Sequence, residues 1–336
     1  MKKSNKKTKQ ILSLAMIGAI GTSFALTSPT SASAAQVNPV QTMAQAQGSV
    51  SVSDWKDPFK KAFSVLQENN ASFGIDSYSR SYYKDQILRD VALWNVYQSS
   101  VEADGSPTIT NSNSLFVGKT TLNNNSDQEQ VLSTNEFSKA FENSVSSSVT
   151  NGFNLGVTAS STFGIPLIGE TSVQLSTEYN FSKTDTNTKA ETYTYTAPSQ
   201  NIKVPAHSSV EVIVNLNTAK ISGNVKLLSL VDGYATIDYN GGTGDASLMG
   251  IASQALQYDK NLGLMVDNKA FNENKVYLVG SGNYSAEYGT EFTVSVRPVE
   301  KPSTFAAKSR SMVAENSKAT NESYTYKVKP EVKKEQ

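Results

Sequence analysis

The feature that most limits what this chain can become is a two-residue alternation running from Ser144 to Ser182. Every even position from Ser144 to Gly164 is Ser, Thr, Asn or Gly, so an extended segment has one face that is wholly small or polar. The interleaved odd positions include Val145, Val149, Phe153, Leu155, Val157, Ala159, Phe163 and Ile165, eight apolar residues among eleven. A period of two belongs to a β-strand. After a turn near Pro166 the same parity resumes, with Val173, Leu175, Tyr179 and Phe181 on odd positions and Glu170, Gln174 and Glu178 on even ones. Facing residues of an antiparallel hairpin have a constant index sum, and matched parity makes that sum even, so the two apolar faces coincide.

A tilted strand crosses a bilayer in about 9 to 11 residues with lipid-facing and lumen-facing side chains in alternation, which Phe153 to Ile165 and Thr171 to Phe181 satisfy. There is no charged residue between Asn143 and Gly169, as a lipid-crossing segment requires. The turn, Gly164, Pro166, Leu167, Ile168 and Gly169, is apolar where turns are normally polar, which suits a tip that leads insertion. Hydrocarbon tolerates no unpaired backbone groups, so several subunits must each donate a hairpin to a closed barrel. The expectation is an insertion hairpin over 143–188 with the odd residues facing lipid and Glu170, Gln174 and Glu178 facing the pore lumen. An ordinary half-buried sheet alternates in the same way.

The first nine residues carry five lysines, and an apolar run from Ile11 to Leu26 precedes Ala32-Ser33-Ala34, a secretory signal over 1–34. Residues 35–53, rich in Gln, Ser, Ala and Val, suggest a flexible lead. In an aromatic-rich region over 54–118, Asp57 suits a helix cap and Pro58 its first turn, with Phe59, Ala62, Phe63 and Leu66 at helical spacing. A second helix is expected over Tyr82 to Trp94, with Ile87, Leu88, Val91 and Leu93 inside it. From Val101 the chain turns to Thr, Ser, Asn and Val in alternation, predicting a mainly β body of long antiparallel strands over 119–300, with one short helix near Asp245 to Gln257.

There is no cysteine, so strands of an exported form stay free of disulfide staples. The body 35–300 holds seventeen basic against twenty-six acidic residues, and the tail 301–336 eight against four. Opposite charge lets the tail dock on the body, although its Lys, Ser, Glu and Asn composition suggests a solvated, disordered end. The single histidine, His207, lies in a Pro-Ala-His-Ser turn and leaves multi-histidine metal sites and a catalytic triad without residues. Asn240 to Asp245 lacks the Lys-Ser/Thr ending of a phosphate loop and suits a hairpin turn. The acidic body carries no nucleic-acid signature. The expectation is a non-enzyme without cofactor or metal.

In Asn124 to Leu132, in the hairpin, and in Ala197 to His207, the sequence resembles the epsilon-toxin and mosquitocidal-toxin family of aerolysin-like β-pore-forming toxins. The resemblance implies an elongated, mainly β, secreted protoxin, cytolytic and insecticidal, acting at a target-cell membrane as a homo-oligomer. It implies a surface receptor (glycan, lipid or protein) bound by the N-terminal aromatics, for which Tyr78, Tyr82, Tyr83, Trp94 and Tyr97 are the candidates, each with a core role as its alternative. It also implies an activating protease that removes a C-terminal propeptide, here the tail, with Lys308, Arg310 or Lys318 as candidate cuts. The other reading of the whole chain is a secreted adhesin or carbohydrate-binding surface protein that never enters a membrane.

Overall fold

Long alternation produces long strands, and one of 32 residues runs from Ser208 to Tyr239 with Val210, Val212, Val214, Leu216 and Ile221 turned inward. The computed structural model describes residues 50–74, 80–169, 171, 173–239, 242–299 and 322–335, with the backbone alone at 73–74, 80–82 and 110–112. The signal region, most of the lead, Tyr78, Glu170 and the cleavage candidates Lys308, Arg310 and Lys318 lie outside the described residues.

In chain order the elements begin with β1 (Ser51–Asp54), α1 (Asp57–Glu68), β2 (Ser72–Gly74), β3 (Arg80–Tyr82), a 3₁₀ turn (Tyr83–Asp85), β4 (Ile87–Asn124), β5 (Gln130–Ser133) and β6 (Phe137–Asn154). The hairpin region supplies β7 (Ser160–Gly164), β8 (Ser176–Asn180) and β9 (Asn187–Ala197). Then come β10 (Asn201–Val204), β11 (Ser208–Tyr239), β12 (Gly242–Ser247), α2 (Leu248–Ala255), β13 (Leu264–Met265), α3 (Asn268–Asn272) and β14 (Val276–Pro298). The tail supplies β15 (Tyr324–Val328) and β16 (Glu331–Lys334).

One sheet organises the molecule. β11 pairs antiparallel with β4 along one edge and with β14 and then β12 along the other. β14 passes to β6, β6 to β9, and β9 to β16, all antiparallel, while β1 joins β6 in parallel. Most buried apolar residues form one continuous cluster, into which α1 sends Phe59, Ala62, Phe63 and Leu66 and α2 sends Leu248, Ile251 and Ala252. Asp57 lies in the first turn of α1, where it pairs with Lys60 at 3.0 Å; Lys56 occupies the cap position.

Three expectations are corrected. Tyr82 to Trp94 is not a helix: after the 3₁₀ turn the chain enters β4, a 38-residue strand that also carries the expected boundary at 118/119 in its interior. The end of the lead, 51–53, is strand, because its backbone completes β6 beyond Asn151. The tail is not disordered over 324–334, since β15 and β16 find open edges on β14 and β9 and satisfy their backbone groups there.

The two sequence blocks outside the hairpin meet in space. β5 pairs with β10, and buried Asn124 donates its amide protons to the carbonyls of Gln128, Val204 and Pro205 while its Oδ1 accepts from Ser126. His207, in a turn with φ of 51°, sits exposed with Nε2 2.6 Å from Asp127 Oδ1.

Candidate functional site

The alternating segment is folded back on itself against β14. Its stem is the β6–β9 ladder, from Phe137 opposite Ala197 to Ser147 opposite Asn187, every pair having an index sum of 334. The Phe153 N–H donates to the Phe181 carbonyl at 3.0 Å, continuing that register. Beyond it the register changes. Phe181 N–H donates to the Ala159 carbonyl at 2.9 Å, and the β7–β8 ladder from Ser160 opposite Asn180 to Gly164 opposite Ser176 has a sum of 340. Both sums are even, so one face stays apolar throughout. The difference is absorbed by residues 154–158, looped out around Gly156, whose φ of 76° and open surroundings suit glycine. Asn154 Oδ1 holds that loop by accepting from Gly156 N–H at 2.9 Å.

Eleven of the twelve odd-position residues are buried here: Val145, Val149, Phe153, Leu155, Ala159, Phe163, Ile165, Val173, Leu175, Tyr179 and Phe181. Phe153 and Phe181 meet edge to face with centroids 5.6 Å apart, and Phe163 lies 5.4 Å from Tyr284 of β14. Val157, in the looped-out segment, is the exception at 57% exposure. On the other face, Gln174 and Glu178 are exposed.

β6 is laddered to β14 from Ser144 to Asn151, but few polar ties hold β7, β8 and the tip. The Tyr179 hydroxyl, whose pKa burial pushes up, donates to the Asn283 carbonyl at 2.8 Å, and buried Ser147 and Thr177 share a hydrogen bond of 2.7 Å. At the tip, the Ile168 N–H donates to the Tyr288 hydroxyl at 2.7 Å and that hydroxyl donates back to the Ile168 carbonyl at 3.0 Å. Pro166, Leu167 and Ile168 are half-buried, and Gly169 lies against Thr290. Between β6 and β8 a cleft of about 230 Å³, lined by Ser147, Glu178, Lys183 and Asp185, is left unfilled.

The tail closes over the adjoining edges. β15 pairs with β14 from Phe292 opposite Val328 to Val296 opposite Tyr324, and β16 pairs with β9 from Thr196 to Tyr193. Lys327 pairs with Glu291, Lys334 with Glu191 at 2.9 Å, and the Thr194 hydroxyl donates to Glu335 at 2.6 Å. Hydrogen bonds from Lys334, Lys189 and Tyr193 hold the Glu191 carboxyl down at about 2.

The receptor candidates separate. Tyr83 is wholly buried, edge to face with Phe63 at 5.3 Å, and belongs to the core, which removes it from the receptor set. Tyr82 is described by its backbone alone. Trp94 and Tyr97 are exposed on β4, at 59% and 46%.

Sequence reasoning missed Tyr288, the latch on the tip, and Glu191, the anchor for the tail. Neither stands in a pattern, since each is defined by a partner more than a hundred residues away in sequence. Among the described residues no helix is long and apolar enough to cross a membrane, which leaves strands unaddressed.

The profile of the Clostridium epsilon toxin ETX/Bacillus mosquitocidal toxin MTX2 family matches residues 70–302. Among solved structures, the Mpp75Aa1.1 β-pore-forming protein from Brevibacillus laterosporus has a similar fold, with a TM-score of 0.60 at 23% identity, covering 85% of this chain and 98% of that one. A non-toxic crystal protein from Bacillus thuringiensis aligns with a TM-score of 0.47 at 14% identity over 75% of this chain and 99% of its own. The Cry23Aa1 and Cry37Aa1 binary complex gives 0.46 at 17% identity over 84% and 100%. No curated protein sequence matches significantly. With a profile match across more than two thirds of its length, spanning the hairpin, the chain belongs to the Clostridium epsilon toxin ETX/Bacillus mosquitocidal toxin MTX2 family, a toxin family of pore-formers and not of enzymes.

Proposed function

We propose that this chain is a secreted protoxin that binds a target-cell surface, loses its tail to a protease, oligomerises, and inserts one hairpin per subunit into a transmembrane β-barrel. The observation that carries the reading is the apolar face of the hairpin region. It is continuous in parity across both ladders, yet it is kept from water in the fold, and beyond the β6–β14 ladder its second half, β7, β8 and the tip, is held against the sheet with few polar ties. Exposing Phe153, Leu155, Phe163, Ile165, Val173, Leu175 and Phe181 to water costs about 1.5–3 kcal/mol each, so the hairpin leaves its berth for hydrocarbon and not for solvent. In lipid the odd residues replace the β14 contact, and the uncharged even residues of β6 and β7 line a lumen with Gln174 and Glu178.

The tail supplies the restraint. β15 and β16 occupy edges of β14 and β9 that another subunit would otherwise pair with. Cleavage anywhere between Pro302 and the first tail strand separates those strands covalently, and their dissociation then frees the edges. Two strands from each subunit close the barrel. The chemistry is mechanical, with no bond made or broken by the toxin.

The experiment is dye release from liposomes made with target-cell lipid, comparing intact and trypsin-treated protein, with SDS-resistant oligomers scored alongside. Leakage and oligomers only after trypsin are expected. Surface binding with neither leakage nor oligomers makes the chain an adhesin.

A further inference from the structure

We propose that the outer face of the β4–β11 pair around Trp94 is a binding site for a neutral sugar ring, which gives the cell-surface receptor of the preceding reading a chemical class. The inference rests on that reading for its biological setting, and its evidence is separate.

The site is built by irregularity. β11 runs Leu230, Val231, Asp232, Gly233 while its partners on β4 run Gln98, Val96, Asn95, Leu93, so Tyr97 and Trp94 are each an extra residue without an opposite number. Two bulges three residues apart re-aim two large aromatics to the same exposed surface. The inner one depends on Gly233, where a Cβ would stand 2.1 Å from the Ala92 carbonyl oxygen. A sheet under pressure only to pack would not hold both rings out in water.

What surrounds the rings is arranged for hydroxyl groups. Trp94 leans on Tyr234 with centroids 5.6 Å apart and an interplanar angle of 39°, which fixes the indole while leaving it largely exposed. Asp232 stands two residues from Tyr234 on β11, so both project from the same face about 7 Å apart. Its Oδ1 accepts from the Asn95 backbone N–H at 2.9 Å and amide at 3.3 Å. Its Oδ2 accepts from the Tyr97 hydroxyl at 2.7 Å and keeps a lone pair free. Tyr97 is braced from its ring face by Lys275 Nζ at 3.8 Å. A rigid indole platform beside a pre-oriented carboxylate and amide accommodates a pyranose, whose C–H face packs on the ring while its hydroxyls donate to Asp232 and Asn95.

Charge decides against the competing ligands. Lys275, the cation that braces Tyr97, is itself paired to Glu273 at 2.7 Å. A sialylated or phosphorylated ligand, or an anionic lipid surface, would bring a second negative charge up to Asp232 while the Lys275 ammonium is already committed to Glu273.

The test is binding of the full-length protein to a printed array of neutral glycans ending in galactose, N-acetylgalactosamine, N-acetylglucosamine, mannose or fucose, with sialylated counterparts beside them. Binding to neutral members is expected, weakened at least about tenfold by Trp94→Ala and by Asp232→Ala, and largely kept by Trp94→Phe. Both altered side chains lie outside the core, and near-UV circular dichroism checks that each variant keeps its packing. An array left blank by the wild-type protein, Trp94→Ala binding at wild-type strength, or Trp94-dependent binding to bare phosphatidylcholine vesicles each overturns the site. Liposome leakage by the trypsin-treated wild-type protein is read in parallel, so that a blank array with intact leakage overturns the sugar site while the pore stands.

Discussion

Val157 offers a perturbation that separates the folded monomer from the proposed inserted form. In the folded monomer it is 57% exposed within the loop that bridges the two registers. A lysine there should change folding stability by no more than about 0.5 kcal/mol. In the barrel the same position lies between Phe153 and Phe163 on the lipid face, where a lysine near the bilayer midplane costs about 2–4 kcal/mol. That is roughly a 30- to 700-fold penalty on insertion for every subunit. Trypsin-treated Val157→Lys should therefore melt like the wild type, still form oligomers, and fail to release dye. Thr158→Lys is the control, because Thr158 is likewise exposed in the folded monomer but has the opposite parity, and its leakage should survive. Full leakage from Val157→Lys, or equal loss from Thr158→Lys, would refute the assignment of faces. Leu175 cannot serve the same purpose. It is buried at 9% exposure, so a charge there damages the secreted fold as well as the pore.

Trypsin cleavage before β15 should leave the tail peptide bound, co-eluting with the body on size exclusion, and oligomers should appear only as it departs. The Glu191 contribution to that clasp is whole above the ordinary carboxylate value of 4.5 and drains away as pH falls toward about 2, so tail release should quicken over that range and Glu191→Gln should flatten the dependence. A continuous inserted hairpin needs one register; the stem sum of 334 keeps Pro166 in the turn, whereas 340 sets it opposite Gln174 inside a strand. A disulfide between Thr162→Cys and Glu178→Cys should thus block leakage until reduced. Glu178 on the lumen face should favour cations, and reversal potentials left unchanged by Glu178→Lys would remove it from the pore lining.

The hairpin alternation was legible because one even index sum follows from parity alone, and α1 was legible because its buried residues keep helical spacing. The second helix failed for a physical reason. Leu88, Val91 and Leu93 face Ile237, Ala235 and Gly233, a regular inward row on β11, but the bulge at Arg89 stretches the first gap on β4 to three residues and mimics a helical turn. β15, β16 and β1 were invisible for another reason. They are mostly exposed and are held by backbone hydrogen bonds to edges formed elsewhere, so their side chains carry little pattern. For Tyr83 the sequence offered both a core role and a receptor role, and only the edge-to-face contact with Phe63 decides for the core, because nothing local says which side of a 3₁₀ turn faces that ring.

The irregular course of β4 has a bearing on how such a protein stays dispersed at high concentration. Along 38 residues its second edge meets no strand among the described residues, and a flat edge of that length would recruit any extended chain in its vicinity. The repeated breaks in its ladder with β11 twist that border out of register with itself, so two molecules colliding edge to edge cannot zip. Resistance to edge-to-edge association is thus written into the backbone of β4, in the same bulges that lift Trp94 and Tyr97 to the surface.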